Sequence, residues 1–151
     1  MLTALTLFHV ALSLIGIGSG LAFVRNLLSS RNSKALTDVF LWTTLATSLT
    51  GFLFPVDRIL PSHVVGVISI AVLLVAFAVR KHADWRRTYV FTTVLALYLN
   101  VFVLVVQLFL KVPALHELAP TGTEPPFQVA QLAVLIGFVV VGVRAAKAVS
   151  R

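Results

Sequence analysis

The chain of 151 residues is 59% hydrophobic and only 11% charged, with a mean hydropathy of +1.02, whereas an ordinary soluble domain is about a quarter charged. That balance argues against a water-soluble globule and predicts an all-α, single-domain membrane bundle over residues 1–151. The net charge of +7 comes from short basic clusters between apolar runs, which argues against nucleic acid as a partner. The lack of cysteine excludes a disulfide framework, a thiolate metal site and a cysteine nucleophile.

Five transmembrane helices are expected, at about 2–24, 36–54, 62–79, 88–110 and 127–143. Leu2 to Val24 carries no charge and, at ~1.5 Å per residue, is long enough to cross a hydrocarbon core. Its basic residues follow it, so it is expected as a retained first helix rather than a signal peptide. Thr6, His9, Ser13, Gly16 and Gly20 recur along it at steps of three and four. Such a stripe is either a packing seam with a hydrogen-bonded His9 or a face presenting a ligand-binding histidine; Gly16 and Gly20 permit close backbone approach.

The second segment opens at Asp38 and Trp42 and is rich in hydroxyls: Thr43, Thr44, Thr47, Ser48 and Thr50. Hydroxyls in apolar helices bond to their own helix or to a neighbour. Pro55 to Ser62 reads as a tight connection, and the third segment starts at His63 with Gly66 and Ser69 near the same side. Arg80 to Arg87 is a basic turn, with Trp85 and Tyr89 suited to the interfacial aromatic belt.

The fourth segment carries Asn100, Gln107 and Lys111 on one face, and the fifth, opened by Pro125-Pro126, presents Gln128 and Gln131. Amides in an apolar span need partners, so the two faces are expected to meet each other or a shared polar pocket. Between them, residues 111–126 form the one long acidic, proline-rich loop. Val112 to Ala119 fits a short interfacial helix, and Thr121 to Pro126 a turn into a proline-started helix, together an ordered cap.

The basic residues set an orientation. Arg25, Arg31 and Lys34, then Arg80, Lys81, Arg86 and Arg87, then Arg144, Lys147 and Arg151 alternate with segments holding only Arg58 and Lys111. Five spans place the three rich clusters together, on the cytoplasmic side by the positive-inside rule. The N-terminus and the loop with Glu117 and Glu124 are then outside, and the C-terminus is cytoplasmic. Counting up from Arg25, Arg80, Arg87 and Arg144 puts His9, His63, Asn100, Gln128 and Gln131 in one outer-leaflet layer, ~20 to 26 Å above the cytoplasmic edge.

Several chemistries compete for that layer. His9 and His63 on different helices fit the axial pair of a b-type haem. A quinone needs a donor near each carbonyl, available from His63, Gln107, Gln128 or Gln131. A metal site of His9, His63 and His116 lacks supporting spacing. Proton-coupled transport and hydrolysis lack an intramembrane carboxylate relay and a Ser-His-Asp set. The remaining reading is a polar lock between helices, with the loop as a lid or docking surface.

The block Gln107-x-Phe109-x-Lys111-Val112-Pro113-Ala114-Leu115, with Ala119-Pro120-Thr121, Glu124-Pro125-Pro126-Phe127 and the upstream Tyr98-Leu99-Asn100-Val101-Phe102, resembles a group of small, uncharacterised bacterial multi-pass membrane proteins. Phe54-Pro55 with Pro61-Ser62-His63-Val64-Val65-Gly66 is similar to the same group. The resemblance implies the bacterial inner membrane and adds no catalytic residue. The expected function is a non-enzymatic structural, assembly or ligand-holding component, its pocket under the loop meeting a membrane-protein partner or lipid-like molecule. The alternative is a redox subunit binding haem through His9 and His63, or quinone.

Overall fold

The structure, a computed structural model, describes residues 2–29, 31, 33–54 and 61–149. The expected connection at Pro55 to Leu60, including Arg58, and the terminal Arg151 lie outside the described residues. The described residues form helices α1 (Leu2–Leu28), α2 (Lys34–Gly51), α3 (Pro61–Val79), α4 (Arg86–Lys111), α5 (Pro113–Leu118) and α6 (Pro125–Ala148), with a 3-10 turn at Ala83–Trp85 and no strand.

Local chemistry sets the boundaries. Ser33 starts α2 by accepting the Leu36 amide on its hydroxyl, while its carbonyl accepts the Thr37 hydroxyl. Prolines stand in the first turns of α5 and α6, where a missing N–H costs no helical bond. Val112 ends α4 by donating to the Leu108 carbonyl and starts α5 by accepting from Leu115 and His116. Gly122 is the one described glycine with positive φ (72°), in the turn between α5 and α6.

Among the described residues four helices are long and apolar enough to cross a membrane: Thr3–Leu28, Ser62–Val79, Ala83–Lys111 and Pro125–Ala148. The expected segment 36–54 corresponds to α2, which is not among them. The reason is its composition, since Lys34, Asp38 and a run of hydroxyls dilute its apolar residues. Those hydroxyls point inward: Thr37, Thr44, Thr47 and Ser48 are buried with Phe40 and Leu41, while Val39, Trp42 and Leu49 form an exposed stripe on the other side.

α4 is the centre of the bundle and touches α1, α2, α3 and α6. Its Val90, Val94, Ala96 and Leu97 pack with Phe23 and Val24 of α1, Phe40 and Leu41 of α2, Leu73 and Ala76 of α3, and Ala145 of α6. This core lies toward the basic helix ends. Gly20 makes it possible, because a β-carbon there would sit 2.6 Å from Leu97 Cδ1 and 2.8 Å from Phe40 Cδ2. At the same end Arg80 bonds Asp38 at 2.8 Å, joining the start of α2 to the end of α3. α6 is the most peripheral long helix; only Ala145 on it is buried.

Candidate functional site

Away from the basic end the helix contacts become polar. A β-carbon on Gly16 would lie 3.2 Å from Thr43 Oγ1, 3.3 Å from Thr44 Oγ1 and 3.5 Å from Asn100 Nδ2, so α1, α2 and α4 converge there. Asn100 Nδ2 donates to Thr44 Oγ1 at 3.0 Å, and Thr44 is fully buried. The absence of a side chain on Gly16 is what brings the third helix against this pair.

Two turns further up α1, His9 meets α2. The Thr50 hydroxyl lies 2.9 Å from His9 Nδ1 and 3.1 Å from the Thr47 carbonyl, so it bridges the imidazole and its own helix. The half-buried ring also stands edge-on to Phe54, with centroids 5.3 Å apart. On the far side of the bundle Gln131 Nε2 of α6 donates to the Phe102 carbonyl of α4 at 3.2 Å; its Oε1 is buried without a hydrogen-bond partner.

The single outer-leaflet layer expected from residue counting is not what the helices form. Asn100 lies level with Gly16, seven residues from His9, hence ~10 Å below it. Arg25 and Arg87 are not equally deep: Gly16 is nine residues from Arg25, whereas Asn100 beside it is thirteen from Arg87. His9, Asn100 and Gln131 consequently sit at three interfaces rather than around one cavity.

The remaining candidates are also separate. His63 packs against Phe52, centroids 5.6 Å apart, whereas His9 bonds Thr50. The two imidazoles thus have different neighbours, His63 a ring beyond the end of α2 and His9 a hydroxyl on α2. Gln107 and His116 are exposed, and Gln128 is exposed with its Nε2 on the Thr123 carbonyl at 2.6 Å. Among the described residues no three His, Cys, Asp or Glu side chains gather to hold a metal, so His9, His63 and His116 form no such site.

The loop between α5 and α6 is held by Glu124. Its carboxylate accepts from the Thr121 amide (3.0 Å) and hydroxyl (2.8 Å) and from the Thr123 amide (3.0 Å). Partial desolvation opposes ionisation, but these donors prevail and hold the carboxyl down at about 2 against an ordinary 4.5. Ala119 is buried beside this turn, and Phe109 stacks edge-on with Phe127 at 5.4 Å, tying the loop's two flanking helices together.

Sequence reading missed the partners. Thr44, Thr50 and the Phe102 carbonyl were visible only as a hydroxyl-rich run and an ordinary backbone group. The usable signal was Thr44 lying three residues from Leu41 and four from Ser48, a buried helical face. Scans against protein-family models, curated proteins and solved structures match nothing.

Proposed function

We propose that this chain is a non-enzymatic structural or assembly component of a bacterial inner membrane, crossing it five times with its N-terminus outside and its C-terminus in the cytoplasm. The observation that carries the reading is the pairing of polar groups across helix interfaces: His9 with Thr50, Asn100 with Thr44, and Gln131 with the Phe102 carbonyl. Groups so engaged fix the register of neighbouring helices, whereas a ligand site would turn their donors toward a common space. α2 serves as the fifth span because its neighbours shield its hydroxyls while Val39, Trp42 and Leu49 face lipid. The Asp38–Arg80 ion pair is consistent with the threading, since it requires the first and second basic clusters to share one end. The rigid loop around Glu124 is then the external surface offered to a membrane-protein partner.

The redox alternative receives less support, because the two imidazoles engage different partners and the amides are paired at separate interfaces. An absorption spectrum of detergent-purified protein, with and without added haem, tests the choice. The structural reading expects no Soret band. A band that is lost in His9→Ala or His63→Ala would reject it. Reporter fusions test the orientation: a fusion at Glu124 is expected outside and one after Lys147 inside, and the reverse pattern would reject the threading.

A further inference from the structure

We propose that the groove beside the last turn of α1 is a headgroup site for an anionic phospholipid of the cytoplasmic leaflet. The inference rests on the membrane orientation given above, and it adds a ligand class that the helix-locking role does not require. An open concavity of about 660 Å³ is lined by Leu21, Ala22, Arg25, Asn26, Ser29 and Arg31. The chain builds it by folding back on itself. Ser29 N–H returns to the Arg25 and Asn26 carbonyls, and Arg31 N–H bonds the Asn26 carbonyl at 2.8 Å. This closure, of the kind that ends helices in Schellman turns, brings Arg31 to the same groove as Arg25 and occupies the carbonyls that a nearby cation would otherwise neutralise.

Arg25 and Arg31 therefore line one concavity, and among the described residues neither has an ion-pair partner. Asp38, the acid closest to them in sequence, is held by Arg80. Guanidinium forks match phosphate oxygens, and the Asn26 and Ser29 side chains add neutral donors. The apolar part of the lining selects a lipid over a free anion. Leu21 is 52% exposed and lies with Ala22 about one turn closer to the bilayer centre than Arg25, where an acyl chain would run. Basic recesses at the cytoplasmic ends of membrane helices are suited to such headgroups.

Native mass spectrometry of the full chain in detergent, titrated with short-chain phosphatidylglycerol, phosphatidylcholine or inorganic phosphate, tests this. Phosphatidylglycerol is expected to bind roughly 10- to 30-fold more tightly than phosphatidylcholine, as two cations at a membrane surface would give. The preference should vanish in Arg25→Ala/Arg31→Ala and weaken in Leu21→Trp, which fills the groove with both charges intact. It should survive in Lys147→Ala, an exposed cation elsewhere. Unchanged melting temperatures would show that the variants fold. Equal binding of the two lipids, a preference that persists without both arginines, an inert Leu21→Trp, or displacement by inorganic phosphate alone would each overturn the site. Because the titration is done in detergent, its failure is distinguishable from a reversed orientation in the reporter fusions.

Discussion

Near the basic helix ends, Gly20 admits Leu97 and Phe40 against α1, and the surrounding core is apolar. One turn along, Gly16 faces Thr43, Thr44 and Asn100 instead, and beyond it His9 bonds Thr50. The same small residue on the same helix thus serves two kinds of contact. In lipid, apolar side chains gain little by leaving the solvent, so the first contact depends on close dispersion packing and the second on hydrogen bonds that have few alternative partners. Packing tolerates small rotations of a helix; the Asn100–Thr44 bond holds in one register only. The basic half supplies cohesion, and the opposite half specifies which faces meet.

The largest expected effect lies in the packed half. Gly20→Ala forces two fully buried side chains to shift, and overpacking of this kind costs about 1–3 kcal/mol. Gly18→Ala, with nothing within 4 Å of the added methyl, should be neutral or slightly stabilising through helix propensity. Melting temperatures in detergent give both values; equal losses at the two positions would erase the distinction between a packed and an open glycine.

The ion pair at the basic end should matter less. Arg80 and Asp38 keep 23% and 34% of their side-chain surface exposed, so a double-mutant cycle should return about 0–1 kcal/mol. That coupling should shrink as salt rises from 0.05 to about 0.5 M. A coupling insensitive to salt would mean that the pair is dry and belongs with the buried core.

The smallest effect on the whole fold is local to the loop. Glu124 has its folded carboxyl depressed to about 2, so its contribution is fully present above the ordinary 4.5 and is lost as pH falls from 4.5 through 2. Hydrogen exchange at the Thr121 and Thr123 amides should accelerate in that window relative to the intrinsic rate, and Glu124→Gln should show the faster exchange already at pH 7. Protection that fades near pH 6, or that is unchanged in the variant, would detach the loop's order from this carboxylate.

Much of this architecture is legible in the residue order because its signals are local. Uncharged runs and prolines locate α1, α3, α4 and α6, and Pro113 and Pro125 frame the loop with its short α5. The helix ends were less legible: α6 continues to Ala148, past the expected 143, since basic residues do not break a helix. α2 was the hardest, because its low apolarity makes sense only once its neighbours are seen to cover Thr44, Thr47 and Ser48. The site was read least well. Its polar residues were identified, yet which one faces which depends on helix rotation and stagger, and spacing along one chain segment carries neither. Asn100 is level with His9 only if Arg25 and Arg87 are equally deep, whereas Asn100 lies beside Gly16.

The pairing of polar groups across helices is most directly tested by a thermodynamic double-mutant cycle on Thr44 and Asn100 in detergent, using Thr44→Ala, Asn100→Ala and the double variant. A stabilising coupling of about 0.6 kcal/mol, and up to about 1.7, is expected for an interhelical hydrogen bond in a membrane protein. Additive losses, with no coupling between the two positions, would contradict the account that these side chains hold the helices in register.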